Sequence, residues 1–195
     1  MNKPTFANDK WFQSKFGPFL SERYNTQKLA LAVLNQLTDT PFILETGCIR
    51  LPDDWGAGMS TLVFGEYVAH HGGKITTVDN SEVNMGVCQE VTKDYAQYIT
   101  YVVSDSLIYL PTVTEKIDLL YLDSYDCPPE GDATAAQEHN LKEFKYCERN
   151  LNDRAVIMID DVGFPNGGKG AKTHEYLIEQ GYLLLFMHQQ SVWLK

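Results

Sequence analysis

Acidic side chains in this 195-residue sequence gather at the ends of short apolar runs. Phe42-Ile43-Leu44 runs into Glu45, and the segment from Lys74 to Val78 runs into Asp79. Ile99 to Val103 is followed by Ser104-Asp105-Ser106. Ile117 to Leu122 ends on Asp123, and Ala155 to Ile159 ends on Asp160-Asp161. One Asp after a strand is ordinary, because Asp begins loops and caps helices. Five such sites are harder to dismiss. If the strands are parallel, their C-terminal ends share one edge, and carboxylates crowded there repel unless a cation or hydrogen-bond donors compensate. A bound ligand is therefore expected in that crevice.

The elements that must position these acids are legible around Pro41 to Thr61. A buried strand breaks at Glu45-Thr46-Gly47, and Gly56, Gly58 and Ser60-Thr61 lead into the helical pattern that starts at Leu62. Glycine lets backbone N–H groups approach a ligand and a helix start favours negative charge, so this junction suggests a nucleotide-type cofactor. Asp79 follows Gly58 by 21 positions, the spacing at which an acid after the second strand takes ribose hydroxyls. No Lys or Arg follows Asp79 until Lys93, so nothing nearby awaits an extra cofactor phosphate.

The remaining pattern is read in order. Leu20, Tyr24, Leu31, Leu34 and Leu37 form a helical stripe that ends near Pro41, while Met1 to Gly17 has no clean period but carries Phe6, Trp11, Phe12 and Phe16. That aromatic arm is open to three roles: satellite core, substrate lid or homodimer contact. Helices are predicted to end at Gly72-Gly73, and to run over Glu82 to Tyr95, Ala133 to Arg149 and Ala171 to Gln180. Tyr182 to Met187 and Ser191 to Leu194, joined by three residues, must be antiparallel neighbours. The expected fold is α/β: a doubly wound, Rossmann-like, seven-stranded and mostly parallel sheet with a C-terminal antiparallel hairpin. It forms one domain, with residues 1–40 as arm and helix and residues 41–195 as cofactor-binding core.

Glu45-Thr46-Gly47 with Gly58-x-Ser60-Thr61, Val78-Asp79, Ser104-Asp105-Ser106, Leu122-Asp123 and the terminal hairpin resemble the class I S-adenosylmethionine-dependent methyltransferases. The resemblance implies that Glu45 and Gly47 line the methionine part of the cofactor, that Asp79 takes the ribose, and that Asp105 and Ser106 take the adenine. Ser60, Asn80 and Asp123 complete the expected cofactor contacts. Within the class, Leu122-Asp123 with Ile159-Asp160-Asp161 resembles the metal-dependent O-methyltransferases of the catechol and antibiotic-sugar type. That likeness implies a divalent cation, Mg²⁺ by its preference for oxygen, on Asp123, Asp160 and Asp161. A metal-bound acceptor hydroxyl would lose its proton more easily.

Departures are also visible. The glycine turn is expanded by about seven residues around Leu51 to Ala57. Arg50, Asp53, Asp54 and Trp55 then either contact substrate or form a surface loop. The bases that relatives place two or three positions after the first metal acid are absent, since Tyr125 and Asp126 stand there. His139 and Asp123 are the catalytic candidates, although a helix histidine is more often surface. Lys169 and Lys172 could orient substrate, but lysines beside glycines at a helix start are usually solvated.

Composition narrows the function. A net charge of -10 argues against a nucleic-acid partner and for a small-molecule acceptor. No apolar stretch approaches the roughly 18 residues of a membrane span, and Met1 to Lys10 is too polar for a signal peptide, so a cytoplasmic protein is expected. Four scattered cysteines without a CxxC pair suggest reduced thiols. Two rivals stand beside the methyltransferase: a non-catalytic S-adenosylmethionine-binding module, and an NAD-dependent oxidoreductase, which the missing compact GxGxxG disfavours.

Overall fold

A computed structural model describes residues 10–57, 59–128 and 130–195. Phe6 of the aromatic arm, the turn residue Gly58 and Pro129 lie outside the described residues. Seven strands form one sheet: β1 (Phe42–Thr46), β2 (Lys74–Asp79), β3 (Ile99–Val103), β4 (Ile117–Leu122), β5 (Leu151–Ile159), β6 (Leu183–Met187) and β7 (Ser191–Leu194). Their order is β3-β2-β1-β4-β5-β7-β6. The first five are parallel, and β7 runs antiparallel between β5 and β6. The expected doubly wound sheet with a closing hairpin is the observed one.

β1 is buried along its whole length, which is what a central parallel strand covered on both faces requires. Its alternate residues feed two cores. Ile43 packs with Leu31, Leu34, Val63 and Phe64 on one face, and Leu44 packs with Leu120, Ile157 and Phe144 on the other. The covering helices are α1 (Lys10–Phe16), α2 (Tyr24–Leu37), α3 (Ser60–His71), α4 (Glu82–Val91), α5 (Ser106–Tyr109), α6 (Thr134–Cys147) and α7 (Ala171–Glu179).

The predicted helix ends overshoot. The helix begun at Glu82 stops at Val91 and continues as a tighter 3₁₀ segment from Lys93 to Tyr98. The one through Arg149 stops at Cys147 and ends in a 3₁₀ turn. The described residues of the aromatic arm take the first of its three expected roles, packing into the core. Within the stretch that showed no helical period, α1 forms and buries Phe12 and Phe16 in the first core. A seven-residue helix is too short to declare a period, and its stability comes from packing. Trp11 Nε1–H also donates to Glu66 Oε1 at 3.1 Å, and Lys15 Nζ lies 2.5 Å from Glu66 Oε2, tying α1 to α3.

Extra backbone bonds align the strand ends on one edge. Gly47 N–H donates to Val78 O at 2.8 Å, Asp123 N–H to Thr46 O at 2.9 Å, Ser104 N–H to Asp79 O at 3.0 Å and Asp160 N–H to Leu122 O at 3.1 Å. That edge carries the acids.

Candidate active site

The aligned ends of β1 to β5 open into a cleft of about 1290 Å³, more than one small-molecule site of about 300–1,000 Å³ needs. Gly47, Ser60, Asp79, Asn80, Asp105, Ser106, Asp123, Asp160, Asp161 and His139 all line it, so the expected convergence holds. Glu45 does not line it.

Gly47 explains how the floor is shaped. Its φ is +82°, and a Cβ there would stand 2.5 Å from the Asp123 carbonyl oxygen. Only glycine lets the turn after β1 pass this close to the end of β4. The next N–H, that of Cys48, donates to Asp79 Oδ2 at 3.2 Å. Asp79 Oδ1 accepts Ser81 N–H at 2.8 Å and Asn84 Nδ2–H at 3.4 Å. The carboxylate is thus oriented by three donors while staying half-exposed to the cleft. Asp105 caps α5 by accepting Leu107 N–H at 2.8 Å, so it combines the loop role common for Asp with a place in the cleft wall.

Glu45 is a correction to the expected cofactor contacts. It points away from the cleft toward α3, has no exposed surface, and accepts the Thr61 hydroxyl at 2.7 Å. Burial pushes its carboxyl up to about 7, against the Thr61 hydrogen bond that lowers it. Its hydrogen bond ties the end of β1 to the start of α3.

The far end of the cleft holds Asp123, Asp160 and Asp161. Asp160 is buried with both oxygens taken. Arg23 Nε–H lies 3.2 Å from each, Tyr121 O–H donates to Oδ2 at 3.0 Å, and Asp161 N–H donates to Oδ1 at 2.9 Å. Lys169 Nζ donates to Asp123 Oδ1 at 2.6 Å and stands 3.5 Å from Asp161 Oδ2. Burial drives the Asp123 carboxyl well above the usual carboxylate range, and Lys169 pulls it back. Burial alone would lower the Lys169 ammonium, yet Asp123, Asp161 and Asp160 hold it above its ordinary value. Arg23 is raised in the same way, chiefly by Asp160 against burial.

These residues do not fit the expected divalent cation. Magnesium needs carboxylate lone pairs converging at about 2.0–2.1 Å. Here the lone pairs of Asp160 are spent on protein donors, and an ammonium already stands between Asp123 and Asp161. Among the described residues, no group of three or more His, Cys, Asp or Glu side chains is arranged to hold a metal.

His139 lies elsewhere in the cleft. Its Nε2 is 3.1 Å from Ser106 Oγ and 3.4 Å from Glu143 Oε1, and its ring packs on Tyr125 with centroids 5.1 Å apart. It belongs with the residues at the end of β3, and no hydrogen bond or ion pair among the described residues joins it to the three aspartates.

Arg23 and Tyr121 are the site residues that the pattern alone missed, while Lys169, a substrate-orienting candidate expected to be solvated, is instead buried. Lys169 is buried because Asn166, Gly167 and Gly168 all have positive φ and turn the loop after β5 inward, with Gly168 set against the Asp161 carbonyl. The signal was the Gly167-Gly168-Lys169-Gly170 run. Tyr121 could have been suspected, since a tyrosine inside a buried strand needs a partner for its hydroxyl. Arg23 precedes α2 and offered no local sign. In the expanded loop, Arg50 and Asp54 line the cleft, while Trp55 packs against the first core and stacks on Phe19 with centroids 4.9 Å apart. Asp53, with φ +57°, stays on the surface.

A doubly wound sheet in this strand order, with a glycine turn after β1 and acids at the ends of β2 and β3, defines a class I S-adenosylmethionine-dependent methyltransferase. The chain belongs to the methyltransferase-domain family, whose model matches residues 55–162. Solved structures show the same fold. An SAH-bound methyltransferase of Podospora anserina, PaMTH1, is 17% identical with a TM-score of 0.65, covering 98% of this chain and 88% of its own. The O-methyltransferase NovP is 12% identical with a TM-score of 0.61, covering 89% and 79%. A putative methyltransferase from Streptococcus mutans in complex with SAH is 13% identical with a TM-score of 0.58, covering 87% and 97%. No curated protein matches the chain. Among the described residues no helix is long and apolar enough to cross a membrane, and all four cysteines are free.

Proposed function

We propose that the cleft binds S-adenosylmethionine across the ends of β1, β2 and β3 and transfers its methyl group to a hydroxyl of a small molecule seated against Asp123, Asp161 and Arg23. The observation that carries this reading is the single cleft that runs from Asp79 and Asp105 to Asp123 and Asp161. Cofactor and acceptor can lie end to end in it, the arrangement an in-line transfer needs. Asp79 takes the two ribose hydroxyls, Ser106 and Asp105 border the adenine, and Gly47 and Ser60 face the methionine moiety. His139, bonded to Ser106, supports the adenine end.

In the transfer, an acceptor oxygen lone pair forms the new C–O bond. The C–S bond breaks with its electron pair going to sulfur, which turns the sulfonium into a neutral thioether. The acceptor's proton passes to Asp123, whose Oδ2 accepts the Tyr121 hydroxyl at 3.3 Å and no other hydrogen bond among the described residues. The acidic lining suits the cationic sulfonium and disfavours anionic acceptors such as nucleic acids. That NovP is an O-methyltransferase on the same fold agrees with a hydroxyl acceptor. No step here passes through a metal.

Calorimetric titration tests the cofactor part. S-adenosylmethionine binds the wild type, and Asp79→Ala weakens it about 100-fold, the loss of roughly 3 kcal/mol of charge-assisted hydrogen bonds. Binding of NAD in place of S-adenosylmethionine, or an unchanged affinity in Asp79→Ala, contradicts the assignment.

A further inference from the structure

We propose that Lys169 and Arg23 are tethered cations standing in the place of a divalent ion, and that removing the Lys169 charge opens a divalent-cation site between Asp123 and Asp161. The proposal rests on the cleft being the methyl-transfer site described above, and goes beyond it by saying what compensates the charge of its acceptor wall.

Three carboxylates meet at this wall, two of them partly exposed to the cleft. Such a group must be neutralised by something. Arg23 answers Asp160 with Nε and reaches Asp161 with Nη2 at 3.5 Å, while its Nη1 donates to Gly56 O at 2.6 Å and is fixed from the other side. Lys169 answers Asp123 and Asp161, and its Nζ also lies 3.4 Å from Ser124 O. Its position is built by the loop: three successive positive-φ residues and the approach of Gly168 to the Asp161 carbonyl drive the ammonium inward, where almost no surface is exposed. A lysine buried this way in a glycine-rich loop is anchored by its charge partners, since otherwise it would stay in water. An ion entering between Asp123 and Asp161 would meet that ammonium and be repelled. Without it, two carboxylates with free oxygens face one gap, and hard oxygen ligands of this kind suit Mg²⁺ or Ca²⁺.

The test uses the full chain after chelation and without cofactor, titrated with MgCl₂ or CaCl₂ alone and followed by calorimetry and thermal unfolding. The wild type is expected to give no saturable heat and no shift in Tm. Lys169→Met is expected to lower the Tm, to gain at least about 10-fold in Mg²⁺ or Ca²⁺ affinity, and to recover part of its Tm on binding the ion. Lys169→Arg, which keeps the charge, is expected to behave like the wild type. A purely structural lysine would lose stability on substitution without ion-specific recovery. If Lys169→Met does not fold, Lys169→Gln, which also removes the charge between Asp123 and Asp161, carries the same expectation. Saturable Mg²⁺ binding by the wild type, or variants that gain no more than the wild type, overturns the proposal. S-adenosylmethionine titration run beside these arms judges the cofactor reading separately, because the ion arms need no cofactor.

Discussion

Glu45 has no exposed surface, and burial lifts its carboxyl from an ordinary 4.5 to about 7. Below pH 4.5 the group is protonated in both folded and unfolded chains and costs nothing. Between pH 4.5 and 7 the unfolded chain releases the proton first, so stability falls as pH rises, by about 3 kcal/mol once pH passes 7. Glu45→Gln keeps an oxygen for the Thr61 hydroxyl and removes the titration. Urea unfolding should therefore show Glu45→Gln more stable than wild type by about 1–3 kcal/mol at pH 8 and nearly equal to it at pH 4.5. An equal difference at both pH values would place the ionisation elsewhere. Acids such as Asp79 and Asp123 were legible in the sequence because a strand end has a recognisable form. Which way the Glu45 side chain faces was less so: it sits one position inside the strand, and strand alternation turns it toward α3.

At the scale of elements, the site depends on how closely the turn after β1 passes the end of β4. Gly47→Ala would set a Cβ against the Asp123 carbonyl and strain a φ of +82°. The combined cost is about 2–4 kcal/mol, from backbone strain and overpacking. Because Cys48 N–H orients Asp79 from the same turn, S-adenosylmethionine affinity should fall along with the urea midpoint. A variant with wild-type affinity and stability would show that the turn shifts freely. The parallel strands were readable because each is a buried apolar run closed by turn residues. The inward loop after β5 was not. Its glycines are visible, but the direction in which they send Lys169 is set by contacts with Asp161 and Asp123, 8 and 46 positions away. For the same reason Arg23, held by Asp160 and Gly56, carries no mark of its role.

Across the whole molecule, the N-terminal arm decides whether the chain behaves as one unit. Phe12 and Phe16 are buried with Leu20, Leu31, Leu34 and Phe64, and Glu66 receives both Trp11 and Lys15. An arm integrated to this depth is core, and Arg23, just beyond it, reaches the acceptor wall. Phe12→Ala should then cost about 3–5 kcal/mol, a large share of the roughly 5–15 kcal/mol that folded domains possess. The loss should be global. Trp11 and Trp55 report on the arm and the expanded loop, while Trp193 lies in β7, between β5 and β6, buried in the second core. Variants retaining only one of these tryptophans should show coincident urea transitions, in the wild-type background and in Phe12→Ala alike, with the midpoint lowered and the slope unchanged. An early transition seen only by Trp11 would mean instead that α1 docks on a core already complete without it. The Arg23 contact with Asp160 would then outlast the loss of the arm, and S-adenosylmethionine binding would survive at urea concentrations where Trp11 has already changed.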